Sequence, residues 1–180
     1  MTDKRCPYCG QAAVEEQATN ENTKSYSEKY ICLNCSETFG VNVSDSTLAP
    51  EKHCDTFYFS QGGFFGGSQF IKVEERDGYA DLIVSSPYGN TEDRVDVRFR
   101  IMLSEWQDIK TMLFYDLFVL YWNETYHDPN ILDGTQWEMR LEFDDRATVE
   151  KSGSNAFPAL YDELVDYLQP YFDQGDFERD

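Results

Sequence analysis

Histidine is nearly missing from this chain, with two in 180 residues. That scarcity removes most imidazole chemistry, the acid–base and ligand chemistry that works near neutral pH. H-E-x-x-H and G-x-S-x-G spacings are absent as well. With no nucleophile, base and orienter in any recognisable arrangement, the expectation is a non-enzymatic protein. No apolar stretch approaches the ~18–20 residues of a membrane span. Lys4 and Arg5 have no apolar run behind them, so no signal peptide is expected either. The expected compartment is the cytoplasm.

Basic residues are also few: 15 against 34 acidic ones, a formal net charge of −19. Residues 1–50 and 51–100 each carry a net −3, and residues 101–180 carry −13. Such a surface repels phosphate backbones, which proteins hold by neutralising them with Lys and Arg. Nucleic acid is therefore not the expected partner. An acidic face solvates the protein; the sharper alternative is that it draws in basic partners. Aromatic residues at 16% and hydrophobic ones at 41% supply a packed core and exclude wholesale disorder.

What the chain does have is cysteine in a pattern. Four of its five cysteines form two pairs, Cys6-x-x-Cys9 and Cys32-x-x-Cys35, with 22 residues between them. Two CxxC turns supply four thiolates to one tetrahedral ion, at ~2.3 Å each for zinc. Gly10, after Cys9, suits the knuckle by admitting positive φ. The rival reading is a redox dithiol. That would need a strand before Cys6 and a helix after Cys9, yet only five residues precede Cys6, and it leaves the second pair unexplained. Zinc is the expected metal, one structural ion per chain, although four sulfurs also hold iron. Cys54 is left over and reads as a small core residue at a strand start.

The pattern CPYCG…YICLNCSETF resembles the zinc ribbon (rubredoxin-like) family over about residues 4–43. The resemblance implies two knuckles capping a three-stranded sheet, with Cys6, Cys9, Cys32 and Cys35 as ligands. Zinc ribbons serve nucleic-acid, protein and structural roles alike, so it does not choose among them.

The expected organisation is a zinc ribbon over 1–43, a polar linker over 44–54 and an acidic α+β domain over 55–180. CDTFYFS reads as a strand. QGGFFGGSQF reads as a hairpin loop, with Phe64 and Phe65 at its tip as candidate partner contacts. QFIKVEERDGYADLIVSS reads as two strands joined at Asp77-Gly78. RVDVRFRIML alternates Val95, Val97, Phe99, Ile101 and Leu103 with mostly charged residues, as does QWEMRLEF with Trp137, Met139, Leu141 and Phe143. Arg98 and Arg100 are expected across a sheet from Glu138 and Glu142. Ser104-x-x-Gln107 predicts a helix start, with Trp106, Ile109, Leu113 and Leu117 on one face. FYDLFVLYW is buried, and whether it continues the helix stays open. PALYDELVDYLQP predicts a helix opened by Pro158 and ended by Pro170. Its inner face is Leu160, Leu164 and Leu168; its outer face, Asp162, Glu163 and Asp166, is a candidate partner surface. The fold class expected is α+β, a mainly antiparallel sheet with two or three helices on one face.

DGTQWEMRLEF…SGSNAFP…LYDELVDYL resembles the C-terminal block of small uncharacterised bacterial proteins. That implies a tight corner at Gly153 and Asn155 and a core anchor at Trp137, and carries no activity. His127-Asp128 in TYHDPN reads as a turn before it reads as an acid/base or metal fragment, and Asp128, Asp133, Asp144 and Asp145 as solvent-facing acids. The functional expectation is protein–protein interaction through the acidic domain. One alternative is an acidic nucleic-acid mimic that inhibits a basic nucleic-acid-binding protein or nuclease, as a phage-type anti-defence protein would. Another is direct nucleic-acid binding through Lys4, Arg5, Lys24 and Lys29.

Overall fold

Alternating apolar and polar side chains over Thr135–Phe143 place Trp137, Met139 and Leu141 in the interior and leave Gln136 and Glu138 exposed. This segment is part of a seven-stranded sheet in the computed structural model, which describes residues 4–12, 14–16, 30–40, 49–63, 67–85, 96–131 and 134–177. Three short strands come first: β1 (Val14–Glu16), β2 (Tyr30–Cys32) and β3 (Thr38–Phe39), an antiparallel sheet in the order β1-β2-β3. A single helical turn, α1 (Pro50–His53), leads into β4 (Cys54–Gly63), β5 (Gly67–Arg76), β6 (Tyr79–Ser85) and β7 (Asp96–Ile101). Helix α2 (Leu103–Thr111) follows, then β8 (Thr125–His127), β9 (Thr135–Phe143), β10 (Val149–Ser154) and helix α3 (Tyr161–Phe177).

The large sheet runs β7-β6-β5-β4-β9-β10-β8, antiparallel throughout except for the parallel β8–β10 edge. The architecture is α+β. One sheet face carries Phe57, Phe59, Ile71, Val73, Leu82, Val84, Met139 and Leu141, which pack with Trp106, Ile109, Leu113, Leu164 and Leu168 of the helical segments in one core. The other face carries the alternate side chains, among them Lys72, Glu74, Arg140 and Glu142 together with Tyr58, Phe70 and Ile83. Asp77-Gly78 turns β5 into β6, with Gly78 at φ 85°.

Several expectations change at this point. Arg98 and Arg100 do not face Glu138 and Glu142: β7 is an edge strand with three strands between it and β9, and Arg98 and Arg100 lie across from Ile83 and Asp81 on β6. Ser104 does not cap α2; the N-cap is Met102, without a side-chain hydrogen bond, and Ser104 lies in the first turn. Burial of Trp106 and Ile109 against the sheet sets where that helix begins. Pro170 does not end α3 but lies inside it. Its position is exposed, so the Asp166 carbonyl that loses an N–H partner faces water. Buried Phe172, beyond the proline, keeps the helix on the core.

FYDLFVLYW does not continue α2 as an α-helix. After Thr111 the chain makes a π-helical turn over Met112–Asp116, then Phe118 takes a left-handed conformation at φ 51°, ψ 46° before a 3₁₀ turn over Val119–Tyr121. Left-handed backbone strains a bulky aromatic residue and persists only where its surroundings hold it.

The corner after β10 is tight as expected. Asn155 has φ 55°, and the Trp137 indole N–H donates to the Ala156 carbonyl at 2.9 Å. A Cβ on Gly153 would stand 2.0 Å from Trp137 Nε1, which is why this position carries no side chain. Phe64 and Phe65, between β4 and β5 in sequence, lie outside the described residues, as do 44–48 of the expected linker.

Candidate metal centre

Two knuckles of matching geometry bring the paired cysteines together. In the first, Gly10 N–H donates to the Cys6 carbonyl at 2.8 Å and Cys6 N–H to the Gln11 carbonyl at 3.0 Å. In the second, Ser36 N–H donates to the Cys32 carbonyl at 2.8 Å and Cys32 N–H to the Glu37 carbonyl at 2.9 Å. Gly10 and Ser36, one residue after the second cysteine of each pair, both have positive φ, 74° and 64°. Serine does without strain relief here what glycine does freely.

The sulfurs of Cys6, Cys9, Cys32 and Cys35 all lie within 4.8 Å of one another. Cys6 Sγ is 3.7 Å from Cys35 Sγ, and Cys9 Sγ is 3.6 Å from Cys32 Sγ. Four sulfurs at ~2.3 Å from one tetrahedral ion would stand about 3.8 Å apart, so the donor set fits a metal ion. The same spacing is far from the ~2.05 Å of a disulfide, and all five cysteines are free thiols. Burial pushes the Cys6 thiol up to about 12, whereas the Gln11 backbone amide beside Cys9 holds that thiol down at about 7. The Asn34 side-chain amide also donates to Cys9 Sγ, at 3.7 Å.

Behind the thiols is a small aromatic core: Tyr30 and Phe39 from the three-stranded sheet, and Phe118 from the body. Phe118 meets Phe39 with ring centroids 4.8 Å apart at 75°, and Tyr30 at 5.8 Å and 69°. The Tyr121 hydroxyl donates to the Gly40 carbonyl. Lys4 Nζ donates to the Tyr115 carbonyl at 2.5 Å and pairs with Asp116 at 3.0 Å, and Arg5 pairs with Glu163 of α3. Phe118, with its left-handed backbone, is thus the residue of the body that plugs the cysteine module. The sequence does not single out Phe118, because it is one of five aromatics in the nine residues FYDLFVLYW and nothing local distinguishes it.

A second group of ligating side chains is brought together by the chain itself. His53 Nδ1 lies 2.7 Å from Asp144 Oδ1 and 3.8 Å from Asp145 Oδ2. The Asp144 N–H donates to the His53 carbonyl at 3.0 Å, and a bulge in β4 between Cys54 and Thr56 sets the local register. Arg146 holds Asp145 through two bonds of 2.7 Å, so a cation already sits against this pair. Sequence alone does not connect His53 with Asp144, which lies 91 residues away along the chain.

The remaining candidates are dispersed. Cys54 is buried at the first position of β4 and donates to the Thr56 carbonyl at 3.5 Å, and burial raises its thiol to about 12. His127 is exposed at the end of β8, and Asp128 accepts from the Asn130 backbone at 2.9 Å in a turn. Asp133 lies outside the described residues; Asp144 and Asp145 gather at His53. Asp162 and Asp166 are exposed on α3, while Glu163 is engaged by Arg5. Lys24 and Lys29 lie outside the described residues. No described helix is long and apolar enough to cross a membrane. No protein-family model matches this chain, and no curated protein matches it.

Proposed function

We propose that this chain is a non-enzymatic interaction protein in which one zinc ion, held by Cys6, Cys9, Cys32 and Cys35, fastens a zinc ribbon to an acidic α+β body. The observation that carries the structural part is the closed set of four thiols. Catalytic zinc sites keep one position for water or substrate, whereas four sulfurs leave none. The ion's contribution is then to folding, on the scale of ~10–16 kcal/mol for structural zinc. When bound, it supplies charge that keeps all four sulfurs as thiolates. The chain's own residues do the rest: Gly10 and Ser36 turn the knuckles, and Phe118 docks the module.

The interaction part is supported by the charge, −19 overall and concentrated after residue 100, with Asp162 and Asp166 exposed on α3. Its partner is then a protein, and a basic one. The test is affinity purification from the native cell, with wild type compared to a Cys32→Ser/Cys35→Ser variant and a D162N/D166N variant. A basic partner retained by wild type in a salt-dependent manner is the expected result. Equal retention at 0.05 and 1 M salt, or none, overturns the reading.

A further inference from the structure

The large sheet ends differently at its two edges. On one side, β8 is three residues long, and a short edge strand gives little for another chain to pair with. On the other side, β7 runs for six residues, Asp96–Ile101, and its pairing with β6 has no bulge. It contains no proline, and among the described residues no strand lies against its outer side. An edge of this kind presents a row of N–H and C=O groups that can take up a further strand.

The side chains of β7 restrict what that strand can be. Val97 and Phe99 are half-buried and pack at the margin of the core. Asp96, Arg98 and Arg100 alternate with them and are exposed. Arg100 lies over the Tyr79 ring, 4.6 Å from its centroid, while Asp81, directly across from it, is held by Arg76 at 3.2 Å. Among the described residues, neither Arg98 nor Arg100 has a carboxylate partner. Beyond the strand the exposed surface turns apolar: Met102 is 70% accessible, and Leu103 is exposed beside it.

We infer that β7 pairs with β7 of a second copy of this chain, antiparallel about a two-fold axis, so that two seven-stranded sheets become one. Two registers pair five strand residues from each copy. Centred on Phe99, the contact sets Arg98 opposite Arg100 twice, and like charges directly opposite one another destabilise a sheet. Centred on Arg98, it sets Asp96 opposite Arg100 twice and Val97 opposite Phe99 twice, with one Arg98–Arg98 pair on the axis. This second register is the self-complementary one, which an isologous contact requires. It gives Arg100 a carboxylate and carries the core across the interface through Val97 and Phe99. The dimer goes beyond the interaction reading above and does not depend on it.

The test is sedimentation equilibrium of metal-loaded, full-length protein over a concentration series at physiological ionic strength, where repulsion between the two net charges of −19 is screened beyond ~8 Å. A reversible dimer is expected. D96R and R100D, both at exposed positions, should each weaken it about tenfold, because each turns two attractive cross-strand pairs into repulsive ones. The charge swap D96R/R100D should restore it, which a variant that had merely lost its fold could not do. A monomer throughout the series, a dimer that R100D leaves intact, or a double variant no tighter than the single ones overturns the inference.

Discussion

Phe118 and Phe39 meet edge to face, 4.8 Å between centroids, and through this pair the cysteine module and the larger body share one packed interface. Neither ring is exposed: Phe39 is 2% accessible and Phe118 1%. Edge-to-face geometry puts the positive rim of one ring on the negative face of the other, worth ~0.5–1.5 kcal/mol beyond area burial. The same contact holds Phe118 in its left-handed conformation, so the strain at the end of α2 and the folding of the module are linked.

Phe118→Ala should therefore act on both parts. Loss of a buried phenyl ring costs about 3–5 kcal/mol, and alanine at φ 51° keeps the backbone strain without the contact that offsets it. The expected outcome is a lower denaturation midpoint together with faster metal transfer to a chromophoric chelator. Wild-type transfer kinetics in this variant would show that the module does not depend on the body.

Gly153→Ala tests the corner. The new Cβ would meet Trp137 Nε1 at 2.0 Å and the Ala156 carbonyl at 2.5 Å, the two ends of one hydrogen bond. Something must shift, and overpacking of this kind costs about 1–3 kcal/mol. Chemical denaturation should show that loss, with a change in Trp fluorescence from displacement of Trp137.

Pro170→Ala should do the opposite. Proline inside a helix forfeits one backbone bond, a penalty of up to ~3 kcal/mol against alanine. At this exposed position, water solvates the freed Asp166 carbonyl, so a gain of about 1 kcal/mol is expected, read as a higher thermal midpoint.

Acid sensitivity follows from Glu74. The hydrogen bond from Lys72, with the charges of Lys72 and Arg76, holds its carboxyl below the usual range. A carboxyl with a depressed folded-state pKa contributes stability above its unfolded value, ~4.3. That contribution is lost as pH falls through the lower, folded value. Glu74→Gln should remove this part of the acid limb: a difference from wild type of about 1 kcal/mol at pH 7, shrinking below pH 4. A difference that grew on acidification would contradict the assignment. Asp55 works the other way, because burial and the Asp144 charge raise it.

Local patterns made much of this molecule legible. The CxxC spacing named all four thiols, and period-two alternation named the buried face of β9, since both depend on neighbours in sequence. Pairings between distant strands were not legible. Arg98 and Glu138 carry complementary charge and regular spacing, yet strand order, decided by how the whole sheet buries its apolar face, puts three strands between β7 and β9. The same holds for His53 and Asp144, joined only by the β4–β9 register. Pro170 misled because the rule that proline ends a helix presumes the lost bond is buried.

The most direct test of the metal centre is the metal-to-protein ratio of natively purified chain, measured by plasma mass spectrometry. The account predicts about one zinc per chain, bound at four thiols that alkylating reagents reach only after chelation. Protein that carries no metal, with Cys6 and Cys9 joined in a disulfide, would contradict it.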